Sequence, residues 1–442
     1  MANYSYPPPQ SPRPTTDIVH PPLLPIYPPL TPPLPNFTAS SRSFPDSRYS
    51  VSTHIVPAAL LRSTPLADSV PPPPAPESAS KAERRAQNAQ RVKWLQTQAR
   101  RQRGRHECVL WSAVNRYTRK DAIKGDGSGV TLFLVHANGF PKETWEPAIL
   151  DLLAIPNGPV IDEVWAWEAV HHGASYQLNS QVPFAACNWA DDSRDVLNFL
   201  LHFLPSSITV DLPTHLPPVA PEESALRKVR GYTERRLFAV GHSFGGCCSA
   251  WAALTHPRLF TGLMLVDPVI SRFGTPNHDP TKPGPSLIEG AIARRDGWSS
   301  REEAYKSMVV NPFFAVWDRR VFDAYVTYGL IESPSGGVQL AMPPLIEAIS
   351  FEGTSSGAPV WDLLPTLDER IPLRFVVPGR PGEPEIGGPS ATQERVWRRP
   401  ANSSNIRLIN AGHLAVQQVP GEIAREIAGM IEGRFAQRQA KL

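Results

Sequence analysis

Cysteine is scarce in this sequence, and long apolar runs are missing. The four cysteines, Cys108, Cys187, Cys247 and Cys248, form no CxxC pair, so a disulfide framework is not predicted. No stretch reaches the roughly 18 apolar residues that a transmembrane helix needs. The amino terminus has no charged start followed by an apolar run, so no secretory signal is predicted. These absences predict a soluble protein of a reducing, intracellular compartment.

Proline is abundant but unevenly placed, since 21 of the 50 prolines fall within residues 1–80. Proline lacks a backbone donor and fixes φ, so this stretch predicts a disordered Pro-rich tail. Residues 81–105 carry nine Lys or Arg against one Glu and predict a basic linker of helical character. We therefore expect the folded core to begin near residue 106, and deletion of residues 1–105 to leave activity largely intact.

Charge excludes a general nucleic-acid binder. The whole chain has a net charge of +3. The excess positive charge lies in the linker at 81–105, with its nine Lys or Arg and one Glu, and residues 106–442 are mildly acidic. No nucleic-acid partner is expected.

Short apolar runs alternate with helical patterns through most of the remaining chain. Examples are VTLFLV at 130–135 and RLFAV at 236–240, each followed by a polar turn. Continuous apolar strands of this kind predict a mostly parallel sheet covered by helices on both faces. The alternation stops over one long helical segment, which predicts an inserted cap. The predicted organisation is a tail at 1–80, a linker at 81–105, core at 106–270, a helical cap at 271–370, core at 371–436, and a C-terminal tail at 437–442.

The sharpest motif is Gly241-His242-Ser243-Phe244-Gly245-Gly246. An apolar strand precedes it and a helix rich in small residues follows, as a nucleophile elbow requires. Ser243 is therefore the candidate nucleophile.

A serine hydroxyl needs a base and an acid to become an effective nucleophile. His413 follows the last predicted strand and stands in the chain order Ser, acid, His that this elbow architecture uses. For the acid, Asp267 at a strand exit is preferred, and Glu383 or Glu385 after the next strand is the alternative.

An oxyanion also needs backbone donors. The N–H of Phe244 follows the nucleophile, and the loop His136-Ala137-Asn138-Gly139-Phe140 offers the N–H of Asn138 or Ala137. His136 is expected to pack under this loop rather than to act as a second base.

At this point the chain resembles the α/β-hydrolases over about residues 108–436. The segments HANGFPKETWEP, GHSFGG, LVDPVI and AGH are similar to fungal α/β-hydrolases of the toxin-biosynthesis type, which are often peroxisomal. The resemblance implies a serine hydrolase with a cap and does not name its substrate. In the cap, several aromatic residues are expected to form both cap core and pocket wall: Trp298, Phe313, Phe314, Trp317, Tyr325 and Tyr328.

The sequence ends in Ala440-Lys441-Leu442, a variant of the Ser-Lys-Leu peroxisomal address. It predicts a peroxisomal protein that binds the import receptor, with a cytoplasmic location as the alternative. No cofactor and no metal are predicted, because His171-His172 has no Cys or carboxylate at ligand spacing and no phosphate-binding glycine loop is present.

The sequence therefore predicts a cofactor-independent hydrolase of an apolar or secondary-metabolite ester or thioester. Two alternatives remain open: a catalytically silent binding protein of the same fold, and an interaction protein that acts through its Pro-rich tail.

Overall fold

The protein is described by a computed structural model, which covers residues 4–10, 19–29, 32–37, 42–76, 78–99, 106–122, 129–209, 211–272 and 286–434. Its strands are β1 (Tyr49–Pro57), β2 (Trp111–Arg119), β3 (Val130–Val135), β4 (Ile161–Trp167), β5 (Leu237–His242), β6 (Gly262–Val266), β7 (Gly297–Trp298), β8 (Leu330–Glu332), β9 (Val338–Leu340), β10 (Leu373–Pro378) and β11 (Ser403–Leu408). Its helices up to the cap are α1 (Lys81–Ala99), α2 (Glu146–Leu153), α3 (Gly173–Asn179), α4 (Trp189–Asn198), α5 (Pro221–Arg230) and α6 (Phe244–Thr255). The later helices are α7 (Leu287–Ala293), α8 (Arg301–Val309), α9 (Pro312–Ala315), α10 (Arg319–Tyr328), α11 (Pro344–Glu352), α12 (Gly357–Leu363), α13 (Ala391–Val396), α14 (Ala415–Gln418) and α15 (Pro420–Ile431).

Eight strands form one sheet in the order β1-β2-β4-β3-β5-β6-β10-β11. The six strands from β4 to β11 in this order are parallel, whereas β1 and β2 pair antiparallel at one edge. Alternate residues of β3 enter two separate cores. Phe133 and Val135 pack with α4 and α6 on one face, and Leu132 and Leu134 pack with α2 and α15 on the other. Burial on both faces explains the continuous apolar runs, and the predicted fold class is confirmed.

The amino-terminal region differs from the prediction. β1 lies inside the predicted tail and pairs with β2 along its whole length, from Tyr49 against Arg119 to Pro57 against Trp111. Its Ile55 side chain is fully buried. The prediction that the core begins near residue 106 is therefore wrong. The high proline count of the tail concealed an eleven-residue stretch between Pro45 and Pro57 that has no proline and can pair as a strand.

Because β1 belongs to the sheet, deletion of residues 1–105 is not expected to leave activity intact. The same strand gives a stability prediction. We expect Ile55→Asp to lower the free energy of unfolding by more than about 3 kcal/mol, because it places an unpaired carboxylate in the buried apolar cluster that Ile55 forms with Trp111 and Ala113. Ser50→Asp changes an exposed position of the same strand and is the matched control, with little expected effect. Urea unfolding measures both. Equal stability of Ile55→Asp and the unsubstituted chain would show that β1 does not belong to the folded core.

Residues 81–99 of the basic segment form α1, and this helix is not a free linker. Leu95 of α1 is fully buried in a cluster with Ile288, Ile292 and Met342 of the cap region. The apolar stripe of α1 is narrow, and its Val92 and Trp94 also pack, partly buried, against this cluster.

The cap also differs in one respect from the predicted all-helical insert. Besides α7 to α12, it contains a three-stranded antiparallel sheet in the order β7-β9-β8. These strands have two or three residues each, which is too short for an alternating pattern to be recognised in the sequence. Among the described residues, no helix is long and apolar enough to cross a membrane.

Candidate active site

Ser243 occupies the sharp turn between β5 and α6. Its backbone has φ 55° and ψ −114°, a conformation that a serine rarely adopts. Three hydrogen bonds hold it there: its N–H donates to Val266 O at 2.9 Å, and its carbonyl accepts from the N–H groups of Cys247 and Val269 at 3.2 and 3.1 Å. Strain of this kind, maintained by surrounding structure, concentrates at functional sites.

The two glycines that flank Ser243 are required by close backbone approaches. A Cβ on Gly241 would collide with Gly245 O, and a Cβ on Gly245 would lie 2.5 Å from the carbonyl oxygens of both Val135 and His136. The first turn of α6 therefore packs directly against the end of β3. This contact brings the loop after β3 beside the nucleophile turn.

These contacts predict the effect of adding one methyl group. We expect Gly245→Ala to destabilise the protein by about 1–3 kcal/mol, because backbone carbonyls cannot move aside as a flexible side chain can. Gly290→Ala in α7 is the control, since nothing lies within 4 Å of its added Cβ, and it should be neutral or stabilising by about 0.5–1 kcal/mol. Thermal unfolding compares the two. A Gly245→Ala protein as stable as Gly290→Ala would contradict the close packing of α6 on β3.

The structure brings together three of the predicted site residues. Ser243 Oγ lies 2.9 Å from His413 Nε2, and His413 Nδ1 lies 2.7 Å from Asp267 Oδ2. Asp267 follows β6 directly, and His413 lies in the loop between β11 and α14. Ser243 and Asp267 are buried, whereas a third of the His413 side chain between them is exposed.

The two glutamates that stood as alternatives for the acid have other partners. Glu383 Oε1 accepts the backbone N–H of His413 at 2.9 Å, and Glu385 Oε2 accepts the backbone N–H of Thr392 at 2.9 Å. Neither bond reaches the imidazole. Glu383 therefore supports the loop that carries His413, while Asp267 contacts the ring itself.

Arg395 is a second partner of Asp267. Its guanidinium is fully buried and donates from Nη2 to Asp267 Oδ1 at 2.9 Å. Burial raises the pKa of the Asp267 carboxyl, but the hydrogen bond from His413 and the charges of His413 and Arg395 outweigh burial and leave the pKa below its usual value. Sequence reasoning missed Arg395, because nothing distinguishes it from Arg398 and Arg399 in the printed sequence.

The other histidines near Ser243 are buried and neutral. Burial lowers the pKa of His136 to about 4 and that of His242 to about 3. His136 bonds through Nδ1 to Ala137 O at 2.8 Å and accepts the Ala169 N–H at Nε2, so it packs under the loop as expected. His242 contacts His413 O at 2.8 Å. Both rings have structural partners, and His413 alone among the three contacts Ser243 Oγ.

The loop predicted to supply oxyanion donors is anchored by His172. Its Nε2 accepts the Gly139 N–H at 2.9 Å and contacts the Asn138 side chain at 3.0 Å. Gly139 is therefore already bonded, and the predicted donors Ala137, Asn138 and Phe244 remain the candidates. Phe244 is the first residue of α6, where backbone N–H groups point outward and favour negative charge.

The cap covers this loop with aromatic side chains. The Phe140 ring lies 5.3 Å from the Trp317 ring and 6.1 Å from the Tyr325 ring, and Phe314 packs on both cap residues. Trp298 belongs to the same cluster, and the half-exposed Phe313 meets the Phe314 ring edge-on. Tyr328 instead lies against the Arg42 guanidinium. A narrow pocket opens between the cap and the loop, lined by Gly139, Phe140, His172, Arg294, Tyr325 and Met342 among others.

Two fungal groups are similar to this chain in sequence. A type I acyl-CoA thioesterase of Penicillium roqueforti is 32% identical over 235 residues, which cover 52% of this chain and 46% of that protein. An abhydrolase domain-containing protein of Alternaria alternata is 29% identical over 124 residues, 27% of this chain and 45% of that one. The chain spans about half the length of the curated relatives it matches, and no protein-family model matches it.

The fold has solved counterparts. A peroxisomal α/β-hydrolase of Saccharomyces cerevisiae superposes with a TM-score of 0.61 at 18% identity, covering 89% of this chain and 92% of that one. E-2-(acetamidomethylene)succinate hydrolase superposes with a TM-score of 0.51 at 15% identity, over 73% of this chain and 96% of that one. The chain has the α/β-hydrolase fold, and in sequence it is similar to fungal acyl-CoA thioesterases and abhydrolase-domain proteins.

Proposed function

We propose that this protein is a serine hydrolase that cleaves an ester or thioester with Ser243, His413 and Asp267. The observation that carries the proposal is the continuous chain of two short hydrogen bonds from Ser243 Oγ through the His413 ring to Asp267. It supplies a nucleophile, a base with access to solvent, and a buried carboxylate that orients the base.

The proposed reaction follows from this geometry. Ser243 Oγ attacks the acyl carbonyl while its proton passes to His413 Nε2. Asp267 stabilises the imidazolium that forms, and the N–H groups of Phe244 and of Asn138 or Ala137 hold the oxyanion. His413 then returns the proton to the leaving alcohol or thiol. Water attacks the acyl-serine by the same route and releases the free acid.

The substrate class is proposed from the cap and from the relatives. Phe140 and Tyr325 of the aromatic cluster line the pocket, which suits an apolar or secondary-metabolite acyl group. The similar Penicillium protein is named an acyl-CoA thioesterase, which favours thioesters of coenzyme A among the candidates. The proposed reaction uses neither a metal nor an organic cofactor.

A fluorophosphonate probe and a substrate panel test the proposal. We expect stoichiometric phosphonylation of Ser243, located by peptide mass spectrometry, and turnover of at least one member of a panel of acyl esters and acyl-CoA thioesters. An unlabelled Ser243 together with no turnover would instead support a catalytically silent binding protein.

We further propose a peroxisomal location, with recognition of the import receptor by Ala440-Lys441-Leu442. This tripeptide lies outside the described residues, and a solved structure of the same fold is a peroxisomal protein. A fluorescent protein fused before residue 1 should co-localise with a peroxisomal marker, and removal of the last three residues should return it to the cytoplasm. Cytoplasmic fluorescence of the full chain would contradict the proposal.

A further inference from the structure

Three side chains that the proposed hydrolysis does not use meet behind the loop that follows β4. His171 lies in that loop, Cys187 precedes α4, and Asp192 lies in the first turn of α4. One potential ligand atom from each lies within 4.8 Å of the others. Sequence spacing concealed this group, because 16 residues separate the histidine from the cysteine, and the fold rather than a short motif brings them together.

We propose that His171, Cys187 and Asp192 bind one Zn²⁺ ion. An imidazole nitrogen, a thiolate and a carboxylate are the donor types that zinc accepts. With Zn–S near ~2.3 Å and Zn–N or Zn–O near ~2.0 Å, tetrahedral ligands stand about 3.5 Å from one another. Cys187 Sγ lies 3.5 Å from His171 Nε2 and 3.4 Å from Asp192 Oδ2. These two distances therefore match the spacing between ligand atoms in a tetrahedral zinc site.

The charge balance at Asp192 gives independent support. Its carboxylate is completely buried, and among the described residues Oδ1 has no hydrogen-bond donor. The acidic neighbours on α4 are matched with cations: Asp191 with Arg194 at 3.0 Å, and Asp195 with Arg62 at 2.6 Å. In the described part of the chain Asp192 forms no ion pair with Lys or Arg, and His171 Nδ1 lies 3.7 Å from Oδ1.

A divalent cation would resolve this imbalance. Zn²⁺ bound to one carboxylate and one thiolate is neutral overall, and a buried carboxylate that has no Lys or Arg partner in the described part of the chain would become a ligand. On binding, the Zn–S bond replaces the Cys187 S–H bond, and the thiol proton leaves to solvent.

The surroundings provide entry and a further oxygen. His171 and Cys187 line a pocket together with Arg62, His106, Phe184 and Ile349, so an ion can reach them. Ser350 Oγ lies 3.0 Å from His171 Nε2 and can contribute to a fourth position, as can a water molecule. Three protein ligands next to a pocket are the arrangement in which zinc retains an open position.

Cobalt substitution tests the proposal on the full-length protein. After removal of metals with a chelator, we expect one equivalent of Co²⁺ to produce a thiolate-to-cobalt charge-transfer band, and Zn²⁺ to displace it. Cys187→Ser and Asp192→Asn should abolish the band. Cys108→Ser, which changes another partly exposed free cysteine outside the group, should keep it.

A second measurement needs no variant and so does not depend on whether the variants fold. In the unsubstituted protein, Zn²⁺ should slow alkylation of Cys187 at least tenfold while leaving Cys108 unaffected, as read by peptide mass spectrometry. Equal alkylation of Cys187 with and without Zn²⁺, or a cobalt band that survives in Cys187→Ser, would overturn the proposal.

Discussion

Replacing Ser243 with alanine is expected to lower kcat on any ester or thioester substrate by about 10⁶-fold, the scale of loss when the nucleophile of a triad is removed. The physical reason is that His413 then has no hydroxyl within 2.9 Å to activate. Steady-state kinetics of the purified variant measure the effect, and labelling by the fluorophosphonate probe should vanish in parallel.

Ser249→Ala is the matched control for that experiment. Ser249 stands on the same helix, α6, and is equally buried, but its hydroxyl has no hydrogen-bond partner in the described part of the chain. Removing an unsatisfied buried hydroxyl is neutral or stabilising, so kcat should change by less than about threefold. A Ser243→Ala protein with activity near that of Ser249→Ala would show that another group is the nucleophile.

The second large effect is expected at Asp267. Asp267→Asn should lower kcat by about 10⁴-fold, because an amide cannot stabilise the imidazolium and favours the wrong ring tautomer. Glu383→Gln is the matched control, because it makes the same change from a carboxylate to an amide. It retains an oxygen for the His413 backbone N–H and touches no ring atom, so less than a tenfold loss is expected. A larger loss in Glu383→Gln than in Asp267→Asn would transfer the role of the acid to Glu383.

The ionisation of Asp267 sets the pH range in which this residue stabilises the fold. Since His413 and Arg395 hold the pKa of Asp267 below its usual value of about 4, the carboxylate stays ionised throughout the neutral and mildly acidic range. A lowered native pKa stabilises the fold above the unfolded pKa, and this stabilisation disappears only as pH falls through the native pKa. Protonation of Asp267 should therefore cost the fold no stability from about pH 5 to 8, which urea unfolding across that range measures.

The printed sequence supported much of this site because its signals are local. The small residues around Ser243 reflect backbone approaches within a few residues of the turn, and the order Ser243, Asp267, His413 reflects the strand order of the fold. The choice among Asp267, Glu383 and Glu385 could not be made from local signals. All three follow strands whose ends meet at one edge of the sheet, and only side-chain direction separates them.

β1 and the proposed zinc ligands could not be predicted from the sequence, because their signals are not local. β1 was hidden by the prolines around it, and it is held by pairing with a strand more than 50 residues away in the chain. His171, Cys187 and Asp192 carry no motif, because the turn after β4 and the start of α4 place them together only after the sheet has formed.

The sequence by itself determined the alternation of buried strands and helices, the nucleophile turn and its candidate base, since apolar periodicity and steric limits on backbone act over short distances. Only the tertiary structure decided that Asp267 faces the imidazole and that Arg395 bonds to the other oxygen of Asp267. It also decided that β1 completes one edge of the sheet, and that a histidine, a thiol and a buried carboxylate lie together. These depend on contacts between residues far apart in the chain, and no local pattern encodes where two distant segments will meet.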